Sequence, residues 1–325
     1  MQGSKYIKMD KISVIIPAYN AQDTIKKCLS SILTNRTDGK FDLEVVVVND
    51  GSKDKTKDII EEIAKSDTRV VLLNQNNQGP SAARKNGVEN STGDYLAFCD
   101  SDDWVEPDWL LCLYNILIEN CADISVIRSI YSRTENDRGT SNLYVWKREE
   151  ALQSFLRRDR INGSLVVKMF NRSLFDGLQW DPTMKYFEDD ILMWQMLQKC
   201  NKVVKLDSGK YHIELSDGSL TASKFNQNRL ISTNKLFDRI FNDCQKSDMR
   251  KFIPAAMDFR YFVFNAHFRM MFKDDFEVGD EGLKMHHAIR ESGIKKAFQE
   301  RGLINKVFAI ALYVSPSFAR MIYKI

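Results

Sequence analysis

The chain reads as an α/β protein, a doubly wound and mostly parallel Rossmann-like sheet followed by a helical C-terminal region. Three observations predict this. Apolar runs rich in β-branched residues alternate with amphipathic stretches through residues 11–127. Three of those runs end in polar punctuation. From about Lys224 onward the apolar spacing is helical.

The elements follow in order. Ile12–Pro17 is a continuous apolar run and predicts a strand buried on both faces. Ile25, Cys28, Leu29, Ile32 and Leu33 share one helical face. Leu43–Val48 is a second buried strand, and Ser52 or Asp54 caps the helix whose inward face is Ile59, Ile60, Ile63 and Ala64. Val70–Leu73 is a third strand, and Pro80 stands where a first-turn proline belongs. Tyr95–Cys99 is a fourth strand, Pro107 opens a helix running through Leu117, and Ala122–Ile127 is a fifth strand. Strand and helix in alternation call for parallel strands with right-handed crossovers.

Beyond Ile127 the pattern loosens. Residues 128–142 are polar, a loop or short hairpin; Val145–Arg158 predicts a helix and Ser164–Phe170 a strand. Ile191–Cys200 is a helix apolar all round, and Val203–Leu206 and Tyr211–Leu215 are two short strands. We therefore expect a catalytic domain over 1–221, with halves at about 11–127 and 128–221, and a helical region over 222–325.

Composition bounds the function. With 43% hydrophobic and 28% charged residues the 325-residue chain is globular rather than disordered. The net charge of +3 is too balanced for a dedicated nucleic-acid binder, so no nucleic-acid partner is expected. The charge is divided, however. Residues 222–325 hold 18 Lys and Arg against 11 Asp and Glu, leaving 29 against 33 in the first 221. Such a division fits cation handling in front and an anionic partner, or only a solvated basic face, behind. Six cysteines without a C-x-x-C pair fit reduced thiols, and residues 1–10 lack an apolar core, so a cytoplasmic setting is expected.

In an open parallel sheet, ligands bind beyond the carboxyl ends of the strands. The first predicted strand runs into Pro17-Ala18-Tyr19-Asn20, the second into Asn49-Asp50-Gly51-Ser52, and the fourth into Asp100-Ser101-Asp102-Asp103. Asp50 is either a ligand contact or a helix cap. Three carboxylates within four residues repel one another unless a cation screens them, which suits Mg²⁺ or Mn²⁺ shared with a diphosphate. A capping cluster ahead of Pro107 is the plainer alternative. No dinucleotide or P-loop glycine pattern and no nucleophile elbow is present, which argues against a dehydrogenase, a P-loop NTPase and a serine hydrolase.

Together, ISVIIPAYN at 12–20, VVNDGSKDKT at 47–56, NNQGPSAARKNG at 76–87 and YLAFCDSDDW at 95–104 resemble the GT-A glycosyltransferases of family 2. YFEDDILMW at 186–194 and YHIELSDGSLT at 211–221 complete the resemblance over residues 11–221. It implies an inverting, metal-dependent transfer from a nucleotide-diphosphate sugar, expected to be a UDP-sugar. The implied acceptor is a surface polysaccharide, a lipid-linked oligosaccharide or a teichoic-type polymer.

The resemblance implies that Pro17, Ala18, Tyr19 and Asn20 pack on base and ribose and that Asp50 binds the uracil imide. Gly79, Ser81 and Arg84 would approach donor phosphate and sugar. Asp100 and Ser101 would line the donor, and Asp102 would hold Mn²⁺ or Mg²⁺. Asp189 is the implied base, with Glu188 and Asp190 beside it on the acceptor side. Lys85 stands where the family usually has Asn, and Glu214 where a basic residue is commoner. His212 is a second metal ligand or a satisfied strand histidine. Rival readings are a non-catalytic sugar-nucleotide or polymer binder and, less well supported, a nucleotidyltransferase.

The C-terminal hundred residues lie outside the resemblance. Phe259–Phe272 reads as aromatic core. Residues 303–325 contain no acid, and their composition suits either an interfacial helix on anionic membrane or a docked helix.

Overall fold

A computed structural model describes residues 9–131, 139–214 and 224–324. The chain divides into two compact units. The first takes the described residues of 1–151, 164–183 and 195–216, and the second those of 152–163, 184–194 and 217–325. Two segments that the sequence assigns to the catalytic half thus belong with the helical one.

In chain order the first unit contains β1 (Asp10–Ala18), α1 (Ile25–Leu33), β2 (Phe41–Asn49), α2 (Thr56–Ser66), β3 (Val70–Asn74) and α3 (Pro80–Asn90). Then come β4 (Tyr95–Phe98), β5 (Trp104–Val105), α4 (Trp109–Glu119), β6 (Ile124–Tyr131) and β7 (Gly139–Lys147). After α5 (Arg148–Arg157) follow β8 (Lys168–Asn171), α6 (Glu188–Lys199) and β9 (Lys202–Ile213). Among the described residues nine strands form one sheet in the order β3-β2-β1-β4-β8-β6-β9-β5, with β7 also on β9.

The front is parallel, as the β/α alternation requires: β1 pairs with β2 and β4, and β2 with β3. Val14, Ile15, Ile16, Val45–Val48 and Leu96–Phe98 are all buried, so both faces of this half are covered. Ala18 lies opposite Asn49, and Asn49 opposite Asn74, which aligns the carboxyl ends of β1, β2 and β3.

The back of the sheet departs from the expected order. β6 does not extend the parallel run beside β4. The antiparallel β8 lies between them, its Phe170 ring 6.1 Å from Phe98 and 5.6 Å from Phe175. The strand expected over 164–170 is confined to Lys168–Asn171. The helix expected from Val145 begins only at Arg148, because Leu143–Trp146 alternates apolar and aromatic residues with period two and continues a strand. Tyr144 and Trp146 stack on one face of it, centroids 5.8 Å apart. The two short strands expected at 203–206 and 211–215 are one strand, β9, and residue 215 lies outside the described residues.

The second unit contains α7 (Gln227–Asp243), α8 (Ile253–Lys273), α9 (Gly279–Glu291), α10 (Ile294–Phe298), α11 (Leu303–Val314) and α12 (Pro316–Tyr323). Aromatic contacts explain why parts of α5 and α6 join it. Phe155 lies 6.1 Å from both Trp194 and Phe259, and Trp194 Nε1 donates to Asp243 at 3.0 Å. Phe259, Phe264, Phe268, Met271 and Phe272 are buried core. Phe308 and Tyr323 pack on Phe272 at 6.1 and 6.2 Å, so one face of α11 and α12 is docked on α8. Among the described residues no helix is long and apolar enough to cross a membrane.

His267 sits inside this core, its Nδ1 donating to the Val263 carbonyl at 2.8 Å while Thr233 Oγ1 lies 3.0 Å from Nε2. Burial pushes its pKa down from 6.5 to about 4. The unfolded chain therefore takes up this proton near pH 6.5 and the folded chain only near pH 4. Its stabilising contribution is complete above the upper value and lost as pH falls through that window. His267→Gln should flatten the fall in urea stability across this range. An unchanged slope would show that other groups set it.

Candidate active site

At the carboxyl ends of the parallel strands two turns are stitched together. β1 leaves the sheet through Tyr19 and Asn20, with Pro17 and Ala18 still paired to β2. Asn20 takes a left-handed φ of 49°, which Asn tolerates better than most residues. Its N–H donates to Ser52 Oγ at 3.1 Å, and its Oδ1 accepts from Lys53 N at 2.8 Å. Ala18 is buried, whereas Tyr19 exposes 48% of its surface beside this edge.

Asp50 is 3% exposed and does not cap α2. The N-cap position is Lys55, and the nearby carboxylate that accepts from the helix start is Asp54, whose Oδ1 takes Thr56 N at 3.0 Å. Asp50 Oδ1 accepts from Gln75 Nε2 and Gln78 N, and Oδ2 from Gly79 N, each at 2.8 Å. A carboxylate offers roughly four acceptor positions, so one remains for a ligand. Gly79 can turn toward Asp50 because its φ is 90°, a conformation that a side chain disfavours. Pro80 then starts α3 and brings Ser81 and Arg84 into its buried face. In the segment that departs from the family's usual sequence, Asn86 Nδ2 donates to Gln75 Oε1 at 2.8 Å, while Lys85 pairs with Glu89 at 3.6 Å.

The acidic turn after β4 is built from both sides. Arg84 Nη2 donates to Asp100 Oδ1 at 2.9 Å. Tyr211, fully buried on β9, accepts from Asp100 N at 3.0 Å and donates to Asp103 Oδ2 at 2.7 Å. Glu214 N donates to Asp103 Oδ1 at 3.0 Å. Burial, followed by the charge of Asp100, raises Asp103 to about 7. Asp102 is also raised, by burial and then by the charges of Asp100 and Glu214. Ser101 is half-buried between them. None of these acids caps α4, whose N-cap is Asp108.

β5 and β9 flank the turn. The Trp104 and His212 rings stack 3.5 Å apart at 6°, and His212 Nε2 lies 2.9 Å from Glu106 Oε1. His212 is thus satisfied as a strand histidine. The Glu214 carboxylate is held by Lys27 Nζ and Trp104 Nε1, both at 2.8 Å, and the Lys27 bond leads the causes that lower its pKa. Residues 215–221 of the late motif lie outside the described residues.

Among the described residues no group of three or more His, Cys, Asp or Glu is placed to hold a metal ion. The donor set instead fits a half-site. Asp100 and Asp102 are hard oxygen donors, the charge of Asp102 is opposed by burial, and Mg²⁺ commonly takes one or two carboxylates with phosphates and water.

In the second unit Glu188, Asp189 and Asp190 form the first turn of α6, where the helix dipole favours anions. Asp190 is committed: its carboxylate pairs with Arg158 and packs over Gly163, where a Cβ would overlap it.

The sequence pattern of glycosyl transferase family 2 matches residues 13–178, more than half of the chain. The chain belongs to this family. It is 34% identical to glycosyltransferase GlyA of Streptococcus pneumoniae over 65% of this chain and 32% of that one. With GlyG of the same organism it shares 28% identity over 72% of this chain and 80% of the relative. A poly(ribitol-phosphate) beta-glucosyltransferase of Bacillus spizizenii is 30% identical over 64% of this chain and 33% of its own length. The match thus spans about a third of the length of two of these relatives. The crystal structure of S. aureus TarS 1-349 in complex with UDP-GlcNAc superposes with a TM-score of 0.69 at 18% identity, covering 97% of this chain and 90% of that one. At that identity the likeness establishes the fold: a GT-A sheet with a helical C-terminal region.

For a family 2 glycosyltransferase, the supports of the acidic turn were the least legible part. Tyr211, which supports that turn, opens the late motif but carries no charge, and Gln75, which supports Asp50, belongs to none of the quoted motifs. The YHIE segment and the asparagine of ARKNG were the available signals, since each places a polar group on a buried strand or helix face.

Proposed function

We propose that this glycosyltransferase moves a sugar from a UDP-sugar to a surface polysaccharide, a lipid-linked oligosaccharide or a teichoic-type polymer, with inversion at the anomeric carbon, on the cytoplasmic side of the membrane. The observation that carries the donor half is Asp102, a half-buried carboxylate whose ionisation is opposed by burial, Asp100 and Glu214. Arg84 pairs with Asp100 and Lys27 with Glu214, whereas no cation is bonded to Asp102 among the described residues, and a metal ion with the diphosphate it neutralises would complete the site. Mn²⁺ or Mg²⁺ would be held by Asp102, with Asp100 beside it. When bound, the ion would supply Lewis-acid stabilisation of the leaving diphosphate.

The chain's own groups do the rest. The spare acceptor position of Asp50 takes the uracil imide, and Tyr19, with Pro17, Ala18 and Asn20, offers a surface for base and ribose. Gly79, Ser81 and Arg84 approach the phosphates and sugar, with Ser101 at the donor. The base is assigned to Asp189, in the first turn of α6, on the family resemblance, with Glu188 and Asp190 on the acceptor side. Asp189 takes the acceptor's hydroxyl proton as the new C–O bond forms and UDP departs. The UDP-GlcNAc bound to TarS and the polymer acceptor in the name of the Bacillus relative support the substrate classes.

The test is a screen of UDP-sugars with and without Mn²⁺, read by thermal shift and by UDP release. Metal-dependent stabilisation with slow UDP release is expected. Silence toward every UDP-sugar, or pyrophosphate release from a nucleoside triphosphate and a sugar phosphate, would reject the assignment.

A further inference from the structure

The second unit exposes apolar side chains at one place more than elsewhere. Leu303 and Ile304, at the start of α11, are 78% and 82% exposed, and Val307 one turn on is 41% exposed. Ile294 and Phe298 of α10 add 39% and 56%. Gly302, with φ 84°, makes the elbow that joins the two helices carrying these five side chains. The rest of α11 is anchored from behind: Phe308, Ala309, Ala311 and Leu312 are buried, and the Arg269 guanidinium lies 4.1 Å from the Phe308 ring centroid. The elbow therefore projects on a fixed support.

Its charges are mostly positive. From Ile294 to Lys324 the chain carries Lys295, Lys296, Arg301, Lys306, Arg320 and Lys324, and a single acid, Glu300. Burial raises the pKa of Glu300, and the charge of Arg269 opposes that rise. Lys296 pairs with Asp258, Lys324 with Asp275, and Arg320 donates to the Phe276 carbonyl. Lys295, Arg301 and Lys306 have no ion pair among the described residues, and all three lie on the elbow.

We propose that the α10–α11 elbow is a membrane-docking tip: Phe298, Leu303, Ile304 and Val307 enter the headgroup boundary of an anionic bilayer while Lys295, Arg301 and Lys306 meet lipid phosphates. This moves the contact expected over 303–325 to residues 294–307, where Leu303 and Ile304 are the most exposed apolar side chains and the unpaired cations cluster in sequence. Apolar residues this exposed, flanked in sequence by unpaired cations, match an anionic lipid surface. A soluble polyanion would use the cations and leave Leu303 and Ile304 in water. A second copy of the same surface would bring like charges together.

The test is co-sedimentation of the full chain with vesicles of equal phosphatidylglycerol and phosphatidylcholine, and with phosphatidylcholine alone. Binding is expected to the anionic vesicles only and to weaken with salt. Lys295→Gln/Arg301→Gln/Lys306→Gln should lower the partition coefficient roughly a hundredfold, the scale of losing three cations near such a surface. Leu303→Ser/Ile304→Ser should lower it roughly tenfold or more, with circular dichroism and UDP binding unchanged, since both side chains face solvent. Equal partition of either variant and the parent would overturn the proposal. So would a parent protein that ignores both vesicles, or one whose dimer is dissolved by Leu303→Ser/Ile304→Ser.

Discussion

Asp102→Asn is expected to abolish sugar transfer while leaving the protein as stable at neutral pH as its parent, or slightly more so. The folded chain raises the pKa of Asp102, so holding it ionised costs folding free energy. An amide of the same shape removes that cost together with the charge that would hold the cation. Transfer should fall by at least ~10³-fold, the scale of losing several kcal/mol of transition-state stabilisation. The second readout is UDP affinity with Mn²⁺ and with a chelator. The parent should bind UDP more tightly with the metal, and the variant equally with and without it. Near-parental activity would show that the acidic turn is not the metal site.

Asp189→Asn should lower transfer by ~10²–10⁴-fold, the usual worth of a general base, with UDP-sugar affinity nearly unchanged. The amide keeps the size of the acid and its compatibility with a helix start but cannot accept the proton. Asp190→Asn supplies the contrast. Because Asp190 pairs with Arg158 above Gly163, its loss should appear in the melting temperature before it appears in turnover. If Asp190→Asn is the inactive variant and Asp189→Asn the active one, the base lies one residue further along. If both keep full activity, the turn only caps α6.

The front of the fold was legible because one physical rule governs it. Buried parallel strands need apolar residues on both faces, so β1, β2 and β4 appear as unbroken runs such as Val45–Val48, and their ends carry the polar residues that remain. Asp50 and Asp102 could be picked out for the same reason. Behind residue 127 that rule fails. β7 is an outer strand of largely exposed side chains, and its aromatic alternation was taken into a helix that starts three residues later. Nothing local in Lys168–Asn171 says that it will sit between β4 and β6; that depends on which partners are free. The late supports of the site, Tyr211 and the backbone of Glu214, were hidden because their role depends on contacts with residues more than a hundred positions earlier.

Those long-range contacts bear on how the protein emerges from the ribosome. β1 to β4 can pair once residue 98 has emerged, yet among the described residues the strand partners of β6 are β8 and β9, both encoded later. β5 waits for His212 and Tyr211. Until residue 171 is available, the outer edge of β4 has no native neighbour, the kind of surface that recruits strands from other chains. The acidic turn between β4 and β5 is translated early but completed late, when Tyr211 arrives to hold Asp100 and Asp103. A nascent chain halted before that point would carry every acid of the turn and lack its tyrosine support.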